Sequence, residues 1–200
     1  MKSKEQPNID VQFWDQLFVK GTMPWDRRGS PKQLEQFLET QSTSERTVFI
    51  PGCGAAYEVL SFVKHEHSVV AMDYSEEAAC LAKETLGRYG HLVHHGDVFK
   101  TKFSEPFDWI YERAFLAALP RDKWDDYFSM VERLIVSGGL LVGYFVVSDD
   151  YRSRFPPFCL RTDELKQRLM PGFTLIESNP VEDSVEVFAG KEYWMVWQKN

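Results

Sequence analysis

The fold is decided by the stretch TVFIPGCGAAYEV, which runs from Thr47 to Val59. A short apolar run typical of a buried strand stops at a proline, passes through Gly-Cys-Gly, and continues into small residues typical of a helix. Glycines at the end of a first strand let the backbone approach a ligand and expose the amides of the following helix. The stretch therefore predicts a strand, a loop and a helix, and the loop alone fits either a ligand site or a structural turn.

Residues close to these glycines argue against two common nucleotide loops. The dinucleotide fingerprint G-x-G-x-x-G needs a third glycine where Tyr57 stands, and that ring would obstruct the packing of helix on strand. No Gly-Lys-Ser/Thr follows the loop, so a P-loop is excluded as well. A nicotinamide-dependent dehydrogenase is accordingly a distant alternative.

Outward from this loop, strand and helix patterns alternate. The predicted strands cover 47–50, 68–73, 91–97, 107–114, 138–147, 173–178 and 189–198, and the predicted helices cover 9–20, 31–40, 55–66, 75–90, 121–136 and 162–170. Repeated βα units indicate a parallel sheet with helices on both faces, and two final strands without a helix between them should pair antiparallel. The prediction is an α/β, Rossmann-like, doubly wound sheet of seven mostly parallel strands, with a C-terminal antiparallel hairpin and an N-terminal helical extension.

Composition sets the broad class of the protein. Two hundred residues with 44% hydrophobic content suit one α/β domain, here residues 1–200, with a helical lid at 1–46 and a core at 47–200. A net charge of −7, from 30 acidic and 23 basic residues, argues against a nucleic-acid partner, because phosphate binding needs clustered cations. The expected partner is a small molecule, and the expected state is a monomer.

Cysteine usage and hydropathy point to a cytoplasmic protein without a membrane partner. The three cysteines, Cys53, Cys80 and Cys159, are widely spaced and form no CxxC pair, which fits a reducing compartment. The polar start MKSKEQPNID lacks the apolar core of a signal peptide, and no apolar run approaches the length of a membrane span. The histidines show no metal-ligand spacing, so no metal site is predicted and they are expected at the surface or in turns.

Two carboxylates follow the second and third predicted strands. Asp73 stands 19 residues after Gly54, where an acid can accept both hydroxyls of a ribose. Asp97 ends the third strand, where a side chain can meet the exocyclic amine of an adenine. Taken singly, Asp73 fits a helix cap and Asp97 fits a turn. Three ligand-type features at the ends of successive strands together favour an adenosine site.

These features resemble the cofactor motifs of class I S-adenosylmethionine-dependent methyltransferases. One departure is Ile50, which stands where that class often has an acid, and it indicates a particular branch. Three segments outside the core resemble the thiopurine S-methyltransferase family and the related plant halide/thiol methyltransferases. The segments are FWDQLFVKGTMPWD from Phe13, FDWIYERAFLAALP from Phe107 and FPPFCL from Phe155, and the resemblance runs from about Val11 to the C-terminus.

The two branches of that family are mixed in this chain. Pro24-Trp25-Asp26 and the PGCG motif at 51–54 look more like the halide/thiol branch. YERAFLAALP, which contains Arg113, looks more like the thiopurine branch. The substrate therefore stays open between the two.

The resemblance implies S-adenosylmethionine as cofactor, with S-adenosylhomocysteine as its product. The implied cofactor-binding residues are Trp14, Phe18, Trp25, Gly52, Gly54, Asp73, Asp97, Val98 and Arg113. In this pattern the aromatic residues enclose the cofactor, Gly52 contacts the methionine moiety, Asp73 the ribose, and Asp97 with Val98 the adenine. A sulfonium over an aromatic face gains cation–π attraction of ~0.5–2 kcal/mol.

Each implied role has a structural alternative. Trp14 fits ordinary core packing on periodicity alone, whereas Trp25 stands in a Gly/Pro loop with less structural reason to be there. Arg113, the implied catalytic residue, would lie beside the pocket that faces the sulfonium and hold an anionic substrate or favour its thiolate. Its structural alternative is a salt bridge with Glu112 or Asp125.

The implied reaction is S-methylation of a small or aromatic thiol. Methyl transfer from a sulfonium is an in-line displacement, and a soft nucleophile needs desolvation and alignment more than a strong base. One alternative is methylation of a halide, selenium, tellurium, oxygen or nitrogen acceptor, where a hard nucleophile would recruit Tyr111, Glu112 or Asp149 as base. The other is a non-catalytic module that binds an adenosine ligand.

Overall fold

Helices and strands alternate throughout the computed structural model, which describes residues 8–41, 44–150 and 152–200. The helices are α1 (Val11–Val19), α2 (Lys32–Thr40), α3 (Glu58–Lys64), α4 (Glu76–Leu86), α5 (Phe115–Ala118), α6 (Trp124–Leu134) and α7 (Thr162–Leu169). The strands are β1 (Thr47–Pro51), β2 (Ser68–Asp73), β3 (Val93–His95), β4 (Phe107–Arg113), β5 (Ile135–Val146), β6 (Phe173–Pro180) and β7 (Glu192–Lys199). Parts of the predicted lid, at 1–7 and 42–43, lie outside the described residues.

The strands form one seven-stranded sheet in the order β3-β2-β1-β4-β5-β7-β6. β1 pairs parallel with β2 and β4, and β7 pairs antiparallel with β5 and β6. The chain moves outward from β1 to β3 and then returns to place β4 on the other side of β1. This reversal creates a crevice at the carboxyl ends of β1 and β4, which is where doubly wound sheets bind ligands. The predicted fold class is confirmed.

The sheet is buried on both faces, which explains the uninterrupted apolar run of β1. Val48 and Ile50 pack into the core on the side that holds α2 and α3, and Phe49 packs on the side that holds α6. Alternate residues of a strand point to opposite faces, so a strand covered on both sides must be apolar throughout.

The N-terminal segment attaches to this sheet in two different ways. α2 buries Leu34, Phe37 and Leu38 in the core. α1 has no buried residue, although Asp10 caps it by accepting a hydrogen bond from Phe13 N at 3.1 Å. α2 is therefore part of the core, and α1 lies on its surface.

The predicted element boundaries are wrong at several points, each for a local reason. The helix expected from residue 55 begins at Glu58, because Gly54 and Ala56 have φ of +53° and +57°, outside the helical region. The helix expected to reach residue 136 ends at Leu134, and β5 begins at the next residue. α5, a single turn after β4, was not predicted. Ser75 caps α4 by accepting a bond from Ala78 N at 3.1 Å.

One histidine lies in a turn, as expected, but is buried there. His67 is buried at the turn before β2, where its Nδ1 accepts a hydrogen bond from Arg46 N and its ring packs against Trp109. Burial lowers the pKa of His67, which holds the ring neutral in that environment.

Candidate active site

A cleft of about 1340 Å³ opens at the carboxyl ends of β1 and β4. Its lining contains every residue that the sequence singles out for the cofactor. These residues are Trp14, Phe18, Trp25, Gly52, Gly54, Asp73, Asp97, Val98 and Arg113. The fold therefore gathers residues from five separate segments around one space, and their individual ligand roles stay predictions.

The glycine loop forms a bare and firmly held floor for this cleft. Gly52 and Gly54 have φ of +59° and +53°. Residues other than glycine adopt this left-handed region only at a cost in free energy. A Cβ on Gly52 would lie 2.3 Å from the Phe115 ring, so no larger residue fits there. Cys53 N donates a hydrogen bond to Met72 O at 3.1 Å, which ties the loop to β2.

Asp73 is held by backbone amides on both carboxylate oxygens. Its Oδ2 accepts from Gly54 N at 2.8 Å, and its Oδ1 accepts from Ser75 N at 2.9 Å. Burial raises the pKa of Asp73, and these amides oppose that rise by stabilising the carboxylate. The backbone of Tyr74 contributes a third hydrogen bond. A carboxylate has about four lone-pair sites, so Asp73 is fixed and keeps acceptor capacity in the cleft.

Asp97 is engaged within its own loop. Its Oδ1 accepts from Phe99 N at 3.0 Å, and its Oδ2 lies 3.0 Å from Lys100 Nζ. The Lys100 side chain is 81% exposed, and exposed ion pairs of this kind contribute little and exchange readily. Oδ2 of Asp97 is therefore the oxygen available to a ligand, and buried Val98 lies beside it.

The three aromatic residues predicted for the lid form one cluster. The Trp25 ring makes edge contacts with Trp14 at 5.6 Å and with Phe18 at 6.0 Å between centroids. The Phe18 Cζ lies 4.0 Å from the point that a Cβ would occupy on Gly54, so Phe18 lies against the glycine loop. Trp14 is half-buried in this cluster and is not one of the fully buried core residues.

Arg113 stands in a buried ionic cluster at one end of the cleft. Its Nη1 lies 2.7 Å from Glu192 Oε1, and its Nε lies 4.0 Å from Glu58 Oε1. The guanidinium also packs over the rings of Tyr144 and Phe188, at 5.0 and 5.6 Å from the centroids. Burial raises the pKa of Glu58, and the positive charge of Arg113 opposes that rise. The charge of Arg113 is thus compensated from two sides.

The partners expected for Arg113 in the structural alternative are wrong. Asp125 pairs with Arg168, at 2.5 Å between Oδ1 and Nη1. Glu112 follows the strand alternation to the opposite face of the sheet, where its carboxylate accepts from Tyr127 Oη at 2.6 Å and from Leu116 N at 3.0 Å. A strand places neighbouring residues on opposite faces, so Glu112 and Arg113 could not have met.

None of the three bases considered for a hard acceptor is among the described residues that line the cleft. Tyr111 and Glu112 are fully buried in the sheet, and burial raises the pKa of Glu112 to about 7. Asp149 accepts a hydrogen bond from Thr162 N at 3.2 Å, at the surface before α7. The three bases that an oxygen or nitrogen acceptor would recruit are therefore not positioned to act in the cleft.

Comparison with known proteins agrees with this geometry. A profile of the thiopurine S-methyltransferase family matches residues 9–200. The chain belongs to the thiopurine S-methyltransferase family. It is a methyltransferase that uses S-adenosylmethionine as cofactor.

Two relatives represent different branches of the thiopurine S-methyltransferase family. Thiocyanate methyltransferase 1 of Arabidopsis thaliana is 27% identical, over 96% of this chain and 86% of its own length. The thiopurine S-methyltransferase of Photobacterium profundum is 22% identical, over 94% of this chain and 99% of its own. The chain is thus similar to relatives named for different acceptors.

A solved structure supports the fold of this thiopurine S-methyltransferase family member. It is the 1,6-didemethyltoxoflavin-N1-methyltransferase of Burkholderia thailandensis, with its acceptor and S-adenosylhomocysteine bound. The two chains align with a TM-score of 0.75 at 18% identity, over 95% of this chain and 87% of that one. At this identity the likeness concerns the class I methyltransferase fold alone.

The residues present fit the family's cofactor. The glycine floor has no Cβ to block a methionine moiety, Asp73 presents a fixed carboxylate, and Trp25 presents an aromatic ring for a sulfonium.

The far wall of the cleft was not predicted from the sequence. This wall consists of Phe115, Ala117, Phe158, Val187 and Phe188. Phe158 N donates to Ala117 O at 2.7 Å, which fixes the loop after β5 against α5. The signal for Phe158 was the FPPFCL motif, which contributes to the family resemblance and contains this residue.

Proposed function

We propose that the protein transfers the methyl group of S-adenosylmethionine to the sulfur of a small or aromatic, thiopurine-like thiol. The observation that carries this proposal is the apolar end of the cleft around Arg113. Trp25, Ala117 and Phe188 belong to one hydrophobic cluster there, and the guanidinium packs over the Phe188 ring. Such walls remove water from a soft anion, which raises its reactivity without a base.

The cofactor subsite follows from the held carboxylates and the aromatic cluster. S-adenosylmethionine, when bound, supplies an electrophilic methyl group on a sulfonium. Asp73 accepts the ribose hydroxyls, and Asp97 with Val98 contacts the adenine. Gly52 and Gly54 allow the methionine moiety to approach the backbone. This arrangement is supported by the shared cleft and by the free acceptor capacity of Asp73.

In this proposal Arg113 contacts the methyl acceptor directly with an N–H donor, and does not attract it through the net charge of the pocket. Glu192 and Glu58 compensate most of its charge at long range, so the pocket does not attract anions strongly. A guanidinium has five N–H donors, and its ion pair with Glu192 holds the group rigidly. A donor directed at a thiol sulfur favours the thiolate and orients it for in-line displacement.

Other soft acceptors form the second candidate. The relatives include a thiocyanate methyltransferase and a probable thiol methyltransferase, both from Arabidopsis thaliana. Halide, selenium and tellurium nucleophiles have the same requirement for desolvation and alignment. The positions of Tyr111, Glu112 and Asp149 outside the cleft disfavour oxygen and nitrogen acceptors.

An acceptor screen tests this proposal. Purified protein is incubated with S-adenosylmethionine carrying a labelled methyl group and with thiophenols, thiopurines, alkyl thiols, thiocyanate, iodide, selenols, phenols and amines. We expect volatile or extractable thioethers from the thiols, identified by mass spectrometry, and faster turnover for aromatic thiols than for iodide. Preferential methylation of phenols or amines would contradict the proposal. Binding of S-adenosylhomocysteine without turnover of any acceptor would favour a non-catalytic module.

The setting of this activity is part of the proposal. We infer a cytoplasmic monomer that acts on a small molecule and not on nucleic acid, with residues 1–46 as lid and 47–200 as catalytic core of one domain. The cysteines Cys53, Cys80 and Cys159 are free, and the net charge is −7. No helix among the described residues is long and apolar enough to span a bilayer.

A further inference from the structure

A chain of hydrogen bonds joins α1 to the glycine loop through Ser75. The Ser75 hydroxyl donates to Asp15 Oδ1 at 2.6 Å, and Ser75 N donates to Asp73 Oδ1 at 2.9 Å. Asp73 Oδ2 accepts in turn from Gly54 N at 2.8 Å. Ser75 is completely buried between the two carboxylates. A residue of the surface helix is thus two hydrogen bonds away from the carboxylate proposed to hold the ribose.

α1 has few other attachments to the core. It has no buried residue, and two of its aromatic residues, Trp14 and Phe18, line the cleft instead of the core. Among the described residues, the bond that Asp15 accepts from the Ser75 hydroxyl is the side-chain hydrogen bond that joins α1 to the rest of the chain. A bond between a hydroxyl and a carboxylate is short and strong, and here its donor is buried. Asp15 therefore adds a polar attachment with a buried donor to the packing of α1 on α4.

We propose that Asp15 is a positioning residue that couples the docking of α1 to the binding of the cofactor. Asp15 is not among the residues that line the cleft, so it acts through Ser75 and through the placement of Trp14 and Phe18. The inference rests on the proposed role of Asp73. Coupling between two sites is reciprocal: a ligand fixed on Asp73 stabilises α1, and an undocked α1 weakens that ligand's binding.

Substitution of Asp15 separates this coupling from helix formation. Alanine has a higher helix propensity than aspartate, so Asp15→Ala strengthens α1 as an isolated helix while it removes the acceptor for Ser75. Asp15→Asn keeps an oxygen that can accept the same bond. Gln16→Ala, at the exposed neighbouring position, is the matched control for a substitution that touches no core residue.

Titration calorimetry with S-adenosylhomocysteine and hydrogen–deuterium exchange over residues 9–20 measure the two sides of the coupling. We expect Asp15→Ala to weaken binding about 3- to 10-fold and to abolish most of the slowing of exchange that S-adenosylhomocysteine causes in the wild type. Asp15→Asn should stay within about twofold of the wild type, and Gln16→Ala should be indistinguishable from it. Because no residue of α1 is fully buried, the thermal midpoint without ligand should change little in any variant.

Two results would overturn the inference, and they differ from failure of the proposed function. If Asp15→Ala binds S-adenosylhomocysteine as the wild type does, with the same slowing of exchange, Asp15 has no positioning role. If Gln16→Ala weakens binding as much as Asp15→Ala, the effect belongs to the helix surface and not to the bond with Ser75. If the wild type itself fails to bind S-adenosylhomocysteine, the proposed function and this inference fall together.

Discussion

Arg113 Nη1 and Glu192 Oε1 lie 2.7 Å apart, with 14% and 0% of the respective side chains exposed. The two residues come from β4 and β7, which are separated by β5 in the sheet. Together with Glu58 they form a buried cluster in which one cation faces two carboxylates. Removing one partner of such a cluster leaves uncompensated charge in a dry environment, which is far costlier than losing an exposed pair.

Arg113→Ala should accordingly destabilise the fold as well as impair catalysis. We expect a loss of about 3–5 kcal/mol in the free energy of unfolding at pH 8, measured by urea denaturation. Without Arg113 the pKa of Glu58 in the folded state rises further above its value in the unfolded chain. The deficit should therefore shrink as pH falls and the Glu58 carboxylate is protonated. Arg113→Lys, which keeps the charge, should lose much less, and equal losses for both variants would contradict this account.

Glu112 should make the stability of the wild type decrease with rising pH. Burial raises its pKa to about 7 in the folded protein, so the folded state binds more protons than the unfolded chain between about pH 4.5 and pH 7. Its contribution is complete below the unfolded pKa and is lost as pH rises through 7. As pH rises over this range, the free energy of unfolding of Glu112→Gln should increase relative to that of the wild type by up to roughly 3 kcal/mol.

Denaturation curves from pH 5 to pH 8.5 measure this gain. Glu105→Gln, at an exposed position, is the control and should follow the wild type throughout. A constant difference between Glu112→Gln and the wild type at all pH values would show that Glu112 does not titrate in this range.

Gly52 should tolerate substitution less well than Gly54. Both need a positive φ, which costs alanine about 1–2 kcal/mol, but only at Gly52 would a Cβ overlap the Phe115 ring, at 2.3 Å. Gly52→Ala should lose roughly 2–5 kcal/mol of stability and Gly54→Ala about 1–2 kcal/mol. Phe115→Leu should recover part of the loss in the double variant with Gly52→Ala. The absence of any recovery would show that the overlap does not limit the site.

Trp25 should distinguish S-adenosylmethionine from S-adenosylhomocysteine. Only the first carries a sulfonium cation, so a cation–π contact stabilises its complex alone, by ~0.5–2 kcal/mol. Trp25→Leu should weaken S-adenosylmethionine about 2- to 30-fold more than S-adenosylhomocysteine in parallel calorimetric titrations. Phe13→Leu is the control, because Phe13 contacts Trp14 at 5.1 Å but does not line the cleft. Equal weakening of both ligands would mean that Trp25 contributes packing only.

The sequence predicted the sheet and the cofactor cleft because both depend on local patterns. Apolar runs, glycines and carboxylates at strand ends recur with the βα period, so Gly52, Asp73 and Asp97 could be placed at one sheet edge without coordinates. The isolated Trp25 stood out for a similar reason, as a large aromatic residue in a loop where packing does not require one.

What escaped prediction depends on contacts between residues far apart in the chain. The partner of Arg113 was sought among nearby acids, whereas Glu192 is brought to it by the pairing of β7 with β5. The wall that includes Phe158 is fixed by a backbone hydrogen bond to Ala117, and side-chain patterns do not predict such a bond. The start of α3 was misplaced because positive φ at Ala56 has no signature in residue type.

The position of β7 inside the sheet has a consequence for the synthesis of the protein. Arg113 leaves the ribosome 79 residues before Glu192, the acid that neutralises it. Until β7 has emerged and inserted between β5 and β6, the Arg113 guanidinium of the nascent chain has Glu58 but lacks its nearer acidic partner. The methyltransferase cleft is therefore completed late, and a ribosome-bound chain that has exposed everything through β6 should be enzymatically silent.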